Sequence, residues 1–374
     1  IFGVWGLSFL MISIQSLILW ILFVPNRRSV ILGIASLGLI IIAVISYGTM
    51  RLHQIQYLID TSPKINVGIV QPNINPWNKW SSEVLDQINL HKETVLSSNL
   101  ASPELWIWSE TAIPFMNIDL NIHNDFSSVR SIIGPTPILT GYAHLELVKS
   151  PETEPLAKPF RLIPGSYYIA YNAAALVQAQ SIQVHKKMRL TPFGEGIPFS
   201  QDIPWLGEVL QWGVGISGWK KGEQQKPLIL QKQGRQIASI GTVICIESIY
   251  PGFVRQYIDS GATMLAVITN DAWFDNTPGP MQHFAISQMR AIETRRAIAR
   301  CGNTGVSGII LPDGSVSAIA PAQTRTAISG FVPQLQYTSI YSIVGDILPM
   351  ISTICSFILI VYAGYLGISL RSNE

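Results

Sequence analysis

A carboxylate, an ammonium and a thiol stand far apart in this chain, each beside a short apolar run: Glu110 in Trp-Ser-Glu-Thr-Ala, Lys187 shortly before Pro-Phe-Gly-Glu, and Cys245 in the run Ile237 to Ile246. A free thiol has a pKa of ~8.5 and is only a few per cent thiolate near neutral pH, so a nucleophilic cysteine needs a base or a nearby cation. Glu110 follows Leu-Trp-Ile-Trp, where partial desolvation suits a carboxylate to base duty. Lys187 can hold a thiolate and then a tetrahedral oxyanion, and the amide of Ile246 can add a second oxyanion donor. Each residue alone has a plainer reading: Cys245 as an inert core residue, Glu110 as a cap or surface carboxylate, Lys187 as a solvated neighbour of Lys186 and Arg189. Together they are the parts of a cysteine-nucleophile acyl-transfer site.

The elements that must position these groups are strands alternating with amphipathic helices. Val67 to Val70, Leu105 to Trp108, Ile138 to Thr140, Ala173 to Val177, Ile237 to Ile246 and Met264 to Thr269 read as strands. Val84 to Leu96 and Met281 to Arg300 carry helical spacing, with Ser81 or Ser82 as a cap for the first. Pro312-Asp313-Gly314 marks a turn between strands. Such alternation predicts an α/β layered domain with helices covering a sheet.

On both sides of this region the charge disappears. Residues 3 to 24, 29 to 50 and 347 to 370 contain no Asp, Glu, Lys or Arg. At ~1.5 Å per residue each is long enough as a helix to cross a hydrocarbon core of about 30 Å. The expected organisation is two transmembrane helices in 1–50, an extracytoplasmic catalytic domain in 51–338, and a C-terminal transmembrane helix with a short tail in 339–374. Arg27 and Arg28 between the first two spans, and Arg371 after the last, place the large segment outside the cytoplasm by the positive-inside rule. Residues 200 to 222 crowd Trp205, Trp212 and Trp219 among apolar residues and glycines, followed by Lys220 and Lys221. This composition suits either insertion at a lipid interface or a packed core loop. The chain opens inside a hydrophobic stretch with neither Met nor a basic leader, and is read as a piece of a longer protein.

Composition removes other classes. Of 374 residues, 48% are hydrophobic and 13% charged, with a net charge of +2 and no basic run of the kind that grips nucleic acid. Cys245, Cys301 and Cys355 form neither a disulfide framework nor a Cys-x-x-Cys pair, and the six histidines never fall at metal-ligand spacing. The reading includes no metal and no cofactor.

Trp108-Ser-Glu110-Thr-Ala-Ile-Pro114, Lys187-Met-Arg-Leu-Thr-Pro-Phe-Gly-Glu195, Ile244-Cys245-Ile-Glu247 and Asn270-Asp-Ala-Trp-Phe274 resemble the nitrilase superfamily, and more narrowly the apolipoprotein N-acyltransferases. Gln282-His283, Arg290 to Arg296 and Asn303-Thr-Gly305 add to the resemblance. It implies an αββα sandwich facing the periplasm of a bacterial inner membrane, in a family with eight spans of which three are present. It also implies Glu110 as base, Lys187 as thiolate and oxyanion partner, Cys245 as nucleophile, and supporting roles for Glu195, Glu247 and Trp80. The implied partners are a phospholipid acyl donor, phosphatidylethanolamine, and a diacylglyceryl apolipoprotein acceptor. Ser109, His185 and Ile246 depart from the family's usual proline and two tyrosines, and Ile246 bears on acyl-donor handling. The rival readings are a membrane-tethered amidase using the same three groups on a C–N bond, and a non-catalytic lipid or lipoprotein binding module.

Overall fold

The computed structural model describes residues 1–75, 84–117, 134–150, 152, 154, 156–160, 164–196, 218–274 and 277–371. They divide into two compact units, one of residues 1–57 and 338–374 and the other of residues 58–337.

The first unit contains α1 (Gly3–Phe23), most of α2 (Arg27–Thr61) and, after the second unit, the short α6 (Ile340–Val344) and α7 (Ile347–Arg371). Three of these helices are long and apolar enough to cross a membrane. Their Leu, Ile, Phe and Val side chains are mostly uncovered by protein, a surface that suits lipid rather than water as solvent. Asp346 fastens this unit internally, accepting from Trp5 Nε1 at 3.1 Å and Tyr341 Oη at 2.7 Å. The helix α2 does not end near Met50 but continues through the polar Arg51-Leu-His-Gln segment to Thr61, since nothing between 51 and 61 breaks a helix.

The second unit is an α/β sandwich. Its first sheet runs in the order β14 (Thr326–Pro333), β1 (Lys64–Gln71), β2 (Leu105–Trp108), β4 (Ile138–Val148), β6 (Tyr167–Val177), β5 (Lys158–Pro159); β3 (Ile113–Asn117) pairs with β4 and β7 (Ile182–Lys186) with β6. The second sheet runs β13 (Val316–Ala320), β12 (Ser307–Ile310), β11 (Ile298–Gly302), β10 (Met264–Thr269), β9 (Arg235–Ile244), β8 (Leu228–Lys232).

Alternation along each strand divides the side chains between two faces. Val67, Ile69, Leu105, Ile107 and Leu176 of the first sheet meet Ile240, Ile244, Ala266, Ile268 and Ile309 of the second in a shared inner core. The outward residues of the first sheet, Trp106, Trp108, Ile138 and Tyr142, pack with Ile88 of α3 (Val84–Ser97). Those of the second, Val243, Leu265, Val267 and Ile298, pack with Phe253 and Tyr257 of α4 (Pro251–Asp259) and Phe284 and Ala291 of α5 (Gly279–Thr294). The layers are therefore helix, sheet, sheet, helix, the αββα arrangement expected. A buried Leu, Ile or Phe in such a layer contributes about 1.5–3 kcal/mol relative to exposure.

In this unit several strands extend beyond the expected runs, and two element ends bear on the site. The helix expected over Met281 to Arg300 stops at Thr294, because Arg295 adopts a left-handed φ of 53°, and Ile298–Gly302 then enters the second sheet parallel to β10. The strand expected to run to Ile246 stops at Ile244, and Cys245 opens a tight 3-10 turn over Cys245–Ile249.

Candidate active site

Parallel pairing puts several strand ends at one edge. In the second sheet β9, β10 and β11 are parallel, with Ile244 opposite Ile268 and Ile268 opposite Cys301, so Cys245, Asn270-Asp271 and Asn303 all leave the same edge. In the first sheet β1, β2 and β4 are parallel, and Glu110 follows the fully buried β2. Loops beyond the carboxyl ends of parallel strands are where α/β folds place their chemistry.

Glu110 is held by close packing against its neighbour strand. Gly141 in β4 donates its N–H to the Ser109 carbonyl at 3.2 Å. A Cβ at residue 141 would lie 2.5 Å from the Thr111 nitrogen and 2.7 Å from the Glu110 Cα, so only glycine permits this approach. Lys187 extends from the end of β7, its N–H donating to the Asn172 carbonyl and its own carbonyl accepting from Gly222, both at 2.8 Å.

The three side chains expected at the site are brought to one place by the two sheets. The Lys187 ammonium, 1% exposed, lies 3.0 Å from Glu110 Oε1 and 2.9 Å from Glu195 Oε1. Burial works against its charge, but Glu110, Cys245 and Glu195 outweigh that and hold it protonated well above the usual lysine range. Burying an ammonium is tolerable only with such pairing. Burial raises Glu195, yet Lys187 and the hydrogen bonds from Thr191 and Asn172 bring it below the usual carboxylate range. The second oxygen of Glu110 accepts from the Asn270 N–H at 2.9 Å.

Cys245 is a half-buried residue with an enclosed thiol and a left-handed φ of 51°. A non-glycine residue pays for that conformation in strain, and strain of this kind collects at functional turns. Burial, then Glu110, push its thiol up to about 12, against the opposing pull of Lys187. The thiol thus rests protonated, and a cysteine in this state could act as a nucleophile only with a base to take its proton.

Glu247, completely buried, acts as a brace. Its Oε1 accepts from the Met188 N–H at 2.6 Å and the Arg189 N–H at 3.2 Å, while Oε2 accepts from the Ile244 N–H at 2.8 Å. One carboxylate therefore ties the loop after Lys187 to the turn at Cys245. Behind that turn Asp271 accepts from Thr269 Oγ1, His283 Nδ1 and Arg300 Nη2, each at 2.8 Å. Burial would raise the Asp271 carboxyl, but Arg300, His283 and Thr269 hold it down to about 2. A Cβ at residue 305 would lie 2.2 Å from Asp271 Oδ2, which explains a glycine there.

Ile246 is the half-buried second residue of the turn, and Trp219 is half-buried with its N–H donating to the Glu195 carbonyl at 3.3 Å. Trp80, Trp205 and Trp212 lie outside the described residues. Among the described residues no cluster of histidine, cysteine and carboxylates could hold a metal. Asn172 was missed by sequence reasoning. Its amide donates at 2.7 Å to both Glu110 and Glu195, and its only signal is one polar residue in the apolar run Ala170-Tyr-Asn-Ala-Ala-Ala.

Residues 138–339 match the carbon-nitrogen hydrolase family. A protein of Chlorobaculum tepidum named apolipoprotein N-acyltransferase is 35% identical over 359 residues, covering 93% of this chain and 66% of that protein. One of the same name from Geobacter metallireducens is 27% identical over 352 residues, covering 92% and 62%. This chain thus spans slightly less than two thirds of the length of these curated relatives. A solved carbon-nitrogen hydrolase from Helicobacter pylori G27 aligns over 72% of this chain and 88% of its own, at 13% identity and a TM-score of 0.49. With the family match running over more than half its length, the chain belongs to the carbon-nitrogen hydrolase family, the nitrilase superfamily.

Proposed function

We propose that this chain transfers an acyl chain from a membrane phospholipid, through a thioester on Cys245, to the N-terminal amine of diacylglyceryl-cysteine apolipoproteins. The observation that carries this reading is the buried Lys187 ammonium, bonded to Glu110 and Glu195 and electrostatically coupled to a strained, protonated Cys245. Its setting supports a lipid substrate, since three helices long enough to cross a membrane flank the site in sequence. Relatives carrying the acyltransferase name align along 84–96% of the chain.

In the proposed mechanism Glu110 takes the thiol proton as sulfur attacks the ester carbonyl, and Lys187 stabilises the oxyanion of the tetrahedral intermediate. Collapse breaks the C–O bond, Glu110 returns the proton to the departing lysophospholipid oxygen, and the thioester remains. The acceptor amine then attacks the thioester, its proton passes through Glu110 to the cysteine sulfur, and the thiol is restored. Thiolate is a good leaving group, and a site shielded from water favours amine over hydrolysis.

The finer parts of the proposal are phosphatidylethanolamine as donor, lipid contact by Trp205, Trp212 and Trp219, and a multi-pass chain in a bacterial inner membrane. The catalytic segment, residues 51–338, faces the periplasm, and Trp80, Glu195, Glu247 and Ile246 support the three reacting groups. Intact-protein mass spectrometry after incubation with defined phosphatidylethanolamine tests the core of it. The expected result is a Cys245 acyl adduct that persists with donor alone and is discharged by a peptide with a free α-amine but not by its N-acetylated form. Free fatty acid released without acceptor, as fast as transfer, would replace the transferase by a hydrolase.

A further inference from the structure

Asp271, His283, Ser248 and the carbonyl of Cys245 form a continuous chain behind the thiol. Asp271 Oδ1 is 2.8 Å from His283 Nδ1, His283 Nε2 is 2.7 Å from Ser248 Oγ, and Ser248 Oγ is 2.8 Å from the Cys245 oxygen. His283 Nε2 also lies 3.2 Å from that oxygen. The three side chains are buried, Ser248 completely.

Donors and acceptors along the chain fit together. A peptide carbonyl at one end and a carboxylate at the other are both acceptors only. Both oxygens of Asp271 are occupied by donors, Thr269 and His283 on one and the Arg300 guanidinium on the other, as an ionised carboxylate requires. The Ser248 hydroxyl lies within hydrogen-bond distance of both the Cys245 oxygen and His283 Nε2, so hydroxyl and imidazole together tie that carbonyl to Asp271.

We infer that His283 is a positioning residue, oriented by Asp271, which together with Ser248 clamps the Cys245 carbonyl and holds the nucleophile in its left-handed conformation. This rests on the reading of Cys245 as the nucleophile. The arrangement answers a need of the site. A positive φ at a residue with a side chain is unfavourable and has to be imposed from outside the turn. Lys187 serves the thiol from the end of β7, and His283 serves its backbone from α5.

The test needs no acyl donor. The full chain in detergent micelles at neutral pH is treated with iodoacetamide, and alkylation of Cys245 is followed by peptide mass. His283→Asn and Ser248→Ala should each slow it at least tenfold with little change in melting temperature. Unchanged alkylation in either folded variant would overturn the inference, and Ser248→Ala, which removes a single hydroxyl, decides if His283→Asn does not fold. Failure of phosphatidylethanolamine to acylate Cys245 would instead count against the proposed function alone.

Discussion

The Asn172 amide donates at 2.7 Å to Oε1 of Glu110, the same oxygen that accepts from Lys187. The single nitrogen of that amide also reaches Glu195, so one residue of β6 spaces two carboxylates around one ammonium. The arrangement is electrically tight, which makes substitutions here strongly asymmetric. Asn172→Asp would put a third carboxylate where two already share one cation, and should cut acyl transfer at least a hundredfold, on the order of 3 kcal/mol in barrier. Asn172→Ala, which adds no charge, should be milder in a steady-state assay. Equal losses in the two variants would refute the electrostatic account.

Glu110→Gln and Lys187→Met should each remove roughly 10²–10⁴ of the rate, the range typical of a lost general base or oxyanion donor. The double variant should be little worse than either single one, because groups acting as a unit do not add. Lys187→Arg should fail as well, since a planar guanidinium cannot fill the ammonium's position between Glu110 and Glu195. Near-normal turnover by Lys187→Arg would remove the assigned role.

Cys245→Ala should abolish the acyl-enzyme while leaving the melting temperature nearly unchanged. Cys301→Ala should do the reverse. Cys301 lies fully buried between the sheets with its thiol on the Val70 carbonyl at 3.2 Å, and burial pushes that thiol well above the ordinary range. Losing it should lower stability by about 1–2 kcal/mol with transfer retained. An acyl adduct on Cys301 would contradict both assignments.

Gly141→Ala should impair catalysis without touching any reacting group, because its Cβ would force the backbone of Ser109 to Thr111 away from β4. The expected outcome is a loss of turnover of at least tenfold, with Glu110 displaced from Lys187. Retained turnover would mean that this strand end has slack the packing does not show.

Stability should depend on Asp271 in acid. Its carboxyl titrates at about 2 in the folded chain against an ordinary value of 3.8, so ionisation favours the fold. The contribution is complete above about pH 4 and is lost as pH falls toward 2, an effect on the order of 2 kcal/mol. Melting curves between pH 5 and 2.5 should therefore fall more steeply for the unaltered chain than for Asp271→Asn. Parallel curves would show that another group dominates in this range.

Local pattern determined much of this protein. Uncharged stretches of more than twenty residues mark helices whose solvent is not water, and period-two alternation in runs such as Leu105 to Trp108 already divides the inner core from the helix-covered face. Glu110, Lys187 and Cys245 were legible because their residue types make chemical sense only together, and the motifs around them narrowed the reading further. What local pattern could not supply was the end of an element set by a single dihedral. The apolar spacing continues past Thr294, and only the left-handed Arg295 frees Ile298–Gly302 to join the sheet. The same holds for Cys245, whose β-branched approach predicts strand until the chain turns. Tertiary structure alone brought Asn172 and the Asp271–His283–Ser248 chain together, and it gave Glu247, already expected to support the site, its partners in the loop after Lys187. Asn172 reaches Glu110 across 62 residues and Glu247 reaches Met188 across 59, and a buried hydrogen bond between such distant strand ends depends on sheet order and register, which no window of sequence contains.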